Sequence, residues 1–103
     1  SPADVMVAIW NRDSISQSIE LAHELRAAGL RVDLYPEADK LGKQFKYASA
    51  LGVPFVAILG EEESAKGQVA LKYMRTGEQR AVERNETADL VKEFLAQSRK
   101  DAK

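Results

Sequence analysis

Val53-Pro54-Phe55-Val56-Ala57-Ile58-Leu59-Gly60 decides the fold. The apolar run from Phe55 to Leu59 follows a proline and stops at a glycine. A run this short, rich in β-branched and aromatic residues, suits a strand buried on both faces. Such strands belong to parallel sheets covered by helices, so helices are expected on either side in the chain.

Upstream, a helix is expected to begin after Asp39 as its N-cap and to end at Gly52. Leu41, Phe45 and Ala48 form its apolar face. Further back, Arg31-Val32-Asp33-Leu34-Tyr35 alternates as a strand does, and Pro36 stops it. Before it, Ser14 and Gln17 make a capping-box pattern, which predicts a helix start. Ile15, Ile19, Ala22, Leu25 and Ala28 recur at helical spacing. Gly29 followed by the apolar Leu30 fits a Schellman ending. Val5 to Trp10 is another apolar run and is expected as a buried strand. The chain to Leu59 therefore reads βαβαβ, which implies parallel strands with helical crossovers.

Downstream the rhythm changes. Gln68–Met74 and Gln79–Arg84 read as two strands joined by Arg75-Thr76-Gly77-Glu78, a hairpin link. From about Thr87, the residues Leu90, Val91, Phe94 and Leu95 predict a last helix. Ser98 to Lys103 is expected to fray as a polar tail. The fold class is thus α/β: a three-layer α/β/α domain with a five-stranded mixed sheet and three helices.

Composition bounds the function. A chain of 103 residues is one domain. It holds 15 basic and 16 acidic residues, a net charge of −1, whereas a dedicated nucleic-acid binder usually has a basic surplus. The distribution of charge then decides. The absence of cysteine excludes disulfides and thiolate metal sites. No apolar run approaches ~18 residues, so no membrane span is expected. The start at Ser1-Pro2-Ala3, close before the first strand, reads as a fragment cut at a linker.

Few residues offer chemistry. The single His23 lies mid-helix without a nucleophile at usable spacing and reads as an ordinary helix residue. None of the glycines forms a phosphate-binding loop. Gly42 falls in the first turn of a helix, where a close ligand backbone or a tight helix start would explain it. Glu61-Glu62-Glu63 reads as a solvated loop after a strand rather than a metal site. Trp10 at the end of the first strand reads as core. The second helix carries the one cluster of bases and an aromatic. Lys40, Lys43, Gln44 and Tyr47 fall within roughly a 100° arc, set apart from the apolar stripe. Tyr47 on a wet face suits stacking of single-stranded RNA, and Lys72 extends the patch if its strand lies nearby.

The order Gly42-Lys43-Gln44-Phe45, then Leu59-Gly60, Gly67, Lys72 and Thr76-Gly77-Glu78-Gln79, resembles the anticodon-binding domain of class II aminoacyl-tRNA synthetases. The likeness runs from Val5 to about Leu95. The Lys43-Gln44-Phe45 triplet and the Thr76–Gln79 run look like the histidyl branch most of all. The resemblance implies a domain that follows a catalytic domain and binds the anticodon stem-loop of tRNA, GUG at the anticodon for histidine. Contact positions of the threonyl relative match Lys40, Glu63 and Lys72 here. A further contact, an asparagine in that relative, falls on Ala38 and is absent.

From this follow the expected RNA-binding residues Lys40, Lys43, Gln44, Tyr47, Glu63 and Lys72. No catalytic or metal residue is expected, and no cofactor in this domain. The implied parent is a cytoplasmic histidine–tRNA ligase using ATP and magnesium in its catalytic domain, and a homodimer through that domain. Two other readings stay open: a regulatory or protein-interaction module that keeps the fold without anticodon binding, and a small-molecule domain using the strand ends near Trp10.

Overall fold

The computed structural model describes residues 2–101. Strands β1 (Val5–Val7), β2 (Val32–Leu34), β3 (Phe55–Ile58), β4 (Gln68–Tyr73) and β5 (Gln79–Glu83) form one sheet, in the order β2-β1-β3-β4-β5. The first three run parallel, as the βαβαβ rhythm requires. β4 runs antiparallel to β3 and pairs with β5 as the expected hairpin.

Helices α1 (Ile15–Ala27), α2 (Leu41–Leu51) and α4 (Thr87–Asp101) make the outer layers. On one face Leu21, Ala22 and Leu25 of α1 and Val91 of α4 pack with Val5, Val7, Ala57 and Val69. Phe94 joins Phe55 and Tyr73 there, with ring centroids 4.5–5.3 Å apart. On the other face Ala48 of α2, with Leu41 and Phe45, packs on Met6, Val56, Ile58 and Ala70. The alternation of side chains along a strand separates these two sets.

Both helix stops follow the sequence logic. Leu30 N–H donates to Leu25 C=O and Gly29 N–H to Arg26 C=O, with Gly29 at φ 100°. Val53 and Gly52 repeat this pattern on Ala48 and Ser49, with Gly52 at φ 73°. Both are Schellman endings, and both need the left-handed backbone that glycine allows.

The structure corrects several expectations. The capping box lies one turn earlier, between Asn11 and Ser14, and closes a 3-10 turn (Arg12–Ser14) ahead of α1. Ser14 makes no side-chain cap to α1, and Gln17 instead accepts from Ser64 Oγ at 2.9 Å. Ala22 and Leu25 of the expected apolar face are buried, joined by Ser18 and Leu21, while Ile19 is 48% exposed. The N-cap of α2 is Lys40, because the Asp39 carboxylate turns back to accept the Lys40 N–H at 2.8 Å. The acidic run is a short helix, α3 (Glu61–Ala65), rather than a loop. Carboxylates in a first turn complement the positive end of the helix dipole, which favours that conformation. α4 continues to Asp101 instead of fraying at Ser98, and residues 102 and 103 of the expected tail lie outside the described residues. No helix among the described residues is long and apolar enough to cross a membrane.

Candidate nucleic-acid interface

α2 covers the sheet at β1, β3 and the near side of β4 but leaves β5 open on its own side. The pleat sends Ala70, Lys72 and Met74 of the hairpin to that side, opposite Ala81 and Gln79 across the ladder. Ala81 and Gln79 are exposed and Lys72 is half-buried. The result is a shelf along β3: Ala70 stands opposite Ile58 at its carboxyl end, where ligands of open α/β sheets bind, and Lys72 opposite Val56 toward its amino end. A cleft of about 370 Å³ opens there, lined by Trp10, Leu41, Ile58, Glu63, Ala70 and Gln79 among others.

Of the six expected residues one, Glu63, lines this cleft, while Lys40 and Lys72 lie next to residues that do. Lys40 is exposed beside Leu41, at the start of α2. Lys72 lays its Nζ 3.9 Å from the centroid of the Phe45 ring, a cation–π contact that steadies the ammonium while its other side faces the open hairpin. Glu63 lines the cleft from α3. Its carboxylate folds back over Gly60: a Cβ at that position would lie 2.6 Å from Glu63 Oε1.

Lys43 is exposed on the outer side of α2 and stands 3.9 Å from Asp39. Tyr47 is 45% exposed but packs edge-on against Tyr35, with centroids 5.5 Å apart. Tyr35 follows β2, so Tyr47 occupies the flank of α2 away from the hairpin and Lys72. The Tyr35 hydroxyl donates to Asp39 at 3.4 Å. Desolvation, then the Asp39 charge and that hydrogen bond, raise its pKa above the ordinary 10.0. It therefore stays protonated and able to donate.

Gln44 is the clear departure. Expected on the wet face, it is fully buried. It precedes Ala48 by four residues, which puts the two only about 40° apart on a helix. Its Oε1 accepts the Ile9 N–H at 2.8 Å, and its Nε2 donates to Ile9 C=O and Asp39 C=O, each at 2.9 Å. Gln44 is thus a brace between the end of β1 and the start of α2, and its amide is not available to RNA.

Trp10, expected in the core, is 45% exposed. The buried run ends at Ile9, and β1 itself is shorter than the apolar run that announced it. Trp10 and Gln79 line the cleft although neither is among the expected RNA-binding residues; Gln79 begins β5, and Trp10 follows β1 by three residues. Among the described residues no group of three or more His, Cys, Asp or Glu could hold a metal ion.

Comparison with known proteins agrees with this architecture. A family model described as an anticodon binding domain matches residues 4–94. The histidine–tRNA ligase of Stenotrophomonas maltophilia (strain K279a) is 36% identical over 99 residues, covering 96% of this chain and 21% of that protein. The histidine–tRNA ligase of Porphyromonas gingivalis is 47% identical over 70 residues, covering 68% of this chain and 15% of its own length. The crystal structure of histidyl-tRNA synthetase from Nostoc sp. PCC 7120 superposes with a TM-score of 0.88 at 34% identity, over 92% of this chain and 23% of that one. The RNA binding domain of threonyl-tRNA synthetase from Cryptosporidium parvum shares the fold, with a TM-score of 0.78 at 20% identity over 93% of this chain and 24% of that one. The chain thus spans about a fifth of the curated relatives it matches. With its mixed five-stranded sheet, its open hairpin shelf and a match from Asp4 to Phe94, this chain belongs to the anticodon-binding domain family.

Proposed function

We propose that this chain is the anticodon-binding domain of a histidine–tRNA ligase and holds the anticodon stem-loop of its tRNA on the shelf between α2 and the β4–β5 hairpin. One observation carries the reading: the start of α2, the open side of the hairpin and Glu63 converge on a single cleft. Of the positions that the threonyl relative uses, Glu63 lines the cleft, Lys40 adjoins it beside Leu41, and Lys72 lies two residues along β4 from the lining Ala70.

The division of labour follows from charge. Lys40 and Lys72 donate to phosphates or base carbonyl oxygens, and Lys43 draws the backbone along α2. Glu63 accepts from a guanine edge, whose N1–H and N2–H₂ groups match a carboxylate. Tyr47 contacts RNA only if the loop reaches across α2 toward β2. The ligation of histidine to tRNA, with ATP and magnesium, belongs in this proposal to a catalytic domain outside these residues. That part also carries the homodimer contact, and the whole acts in the cytoplasm.

The test is a titration of the chain with a histidine tRNA anticodon stem-loop. Binding that weakens as salt rises is the expected result. No binding at low salt, or binding indifferent to salt, would overturn the reading.

A further inference from the structure

Trp10 has no role in the contacts described so far, yet its position is held firmly. On one side Ile9 is pinned through both main-chain groups by the buried amide of Gln44. On the other, Asn11 is locked by a reciprocal box: Asn11 N–H donates to Ser14 Oγ at 3.1 Å, Ser14 N–H donates to Asn11 Oδ1 at 2.9 Å, and Ser14 Oγ–H donates to Asn11 C=O at 2.9 Å. The backbone on both sides of Trp10 is therefore fixed while the residue itself stands 45% exposed. An exposed ring on a fixed backbone loses little freedom when a ligand covers it.

Trp10 lies three residues beyond β1, the strand flanked by β2 and β3, from which the crossovers run to opposite sides of the sheet. It lines two clefts at once, of about 340 and 370 Å³. Glu61 lines both as well. Lys40 caps α2 beside the lining Leu41, and Lys43 lies exposed on the first turn of that helix. A phosphate would meet repulsion at the α3 carboxylates, whereas the donor edge of a base would be accepted there. An apolar face beside carboxylate acceptors, flanked by cations for a backbone, fits an unpaired nucleobase.

We infer that Trp10 is the stacking platform for an unpaired base of the bound RNA loop, with Gln44 as the residue that positions it. This rests on the anticodon-loop reading and adds to it the residue that grips one splayed base. It also moves the aromatic contact from Tyr47 to the other end of α2.

The sequence supplies the probe, since Trp10 is the only tryptophan of the chain. The 103-residue chain is titrated with the anticodon stem-loop, and binding is followed twice: by anisotropy of a labelled RNA and by tryptophan emission with unlabelled RNA. The expected result is a saturating fall in emission with the same midpoint as the anisotropy. A fully paired duplex of equal length should leave the emission unchanged. Trp10→Ala should weaken binding roughly tenfold, and Trp10→Phe, which keeps a ring, should stay within about threefold of the parent. Gln44→Met, with its circular dichroism unchanged, should bind with a smaller fall in emission at saturation, because the ring is less well placed. Binding without a change in emission, quenching by the duplex, or a Trp10→Ala chain that binds like the parent would overturn the platform and leave the anticodon reading standing. An emission change in Gln44→Met equal to the parent's would remove Gln44 from the inference. An anisotropy that never rises would overturn both readings.

Discussion

The Gln44 side chain hydrogen-bonds both main-chain groups of Ile9, accepting from its N–H at 2.8 Å and donating to its C=O at 2.9 Å. The amide thus pairs with the end of β1 as a neighbouring strand would. Its remaining N–H donates to Asp39 C=O, so no polar atom of Gln44 is left unpaired. One side chain sets both the exit of β1 and the entry of α2, the two sides of the shelf.

Removing that amide should lower the stability of a chain that still folds. Gln44→Leu keeps the volume but strands buried groups of Ile9, and should cost roughly 2–4 kcal/mol in denaturant unfolding, at ~1–3 kcal/mol per unsatisfied group. A loss under about 1 kcal/mol would show that water replaces the amide.

Gln44→Glu adds a pH signature. The protonated acid can still accept from Ile9 N–H and donate to Ile9 C=O; the carboxylate cannot donate. Burial then raises the folded-state pKa above the ordinary Glu value of about 4.3. Relative to the parent, the variant should be most stable below about pH 4 and lose stability as pH rises through the raised folded pKa. Urea midpoints of variant and parent, compared between pH 4 and 8, check this. A constant difference would contradict it.

Gly42 separates packing from recognition. A Cβ there would meet nothing within 4 Å, and its backbone is not left-handed. Gly42→Ala should therefore stabilise α2 by about 0.5–1 kcal/mol. If RNA binding weakens while the melting temperature rises, the glycine serves close approach of the RNA backbone. Unchanged binding would leave it as a plain feature of the helix start.

Glu63 and Lys43 should differ in kind. Glu63→Ala should lose roughly 1–3 kcal/mol of binding for the cognate anticodon and much less for a swapped one, by analogy with bidentate base contacts. Lys43→Ala should weaken both alike and flatten the salt dependence by ~0.7 of slope, the share of one single-strand phosphate contact. Gly60→Ala should imitate Glu63→Ala in the same assay, because the new methyl displaces the Glu63 carboxylate and little else. Equal losses on both anticodons for Glu63→Ala would leave it without sequence information.

The framework was legible in the sequence because its signals are local. Two apolar runs, two Gly-terminated helices and a Gly-containing hairpin link specify βαβαβ followed by β4 and β5, and the sheet has that form. What was not legible depends on contacts between distant residues. Gln44 was read as wet because amides usually are; its partner Ile9 is 35 residues away and invisible to periodicity. Trp10 was read as core because it continues an apolar run, and only the order of the strands shows that the run leaves the sheet there. The start of α1 after Ser14 and the burial of Ala22 and Leu25 were legible, whereas the partner of the capping box was not: Ser14 pairs with Asn11 rather than with Gln17. Of the expected site residues, the exposure of Lys40 and Lys43 was readable, while the burial of Gln44 and the packing of Tyr47 on Tyr35 were not.

Anticodon recognition on the α2–hairpin shelf is tested most directly by one equilibrium titration: labelled stem-loops carrying the histidine anticodon GUG or a replaced anticodon, each at 50 and 200 mM salt (about the range over which phosphate contacts show). The GUG loop should bind more tightly than the replaced one at both salts. Both should weaken with a log–log slope of about −2, from Lys40, Lys43 and Lys72 at ~0.7 per single-strand phosphate contact. Equal affinity for the two loops, or a slope near zero, would contradict anticodon recognition on this shelf.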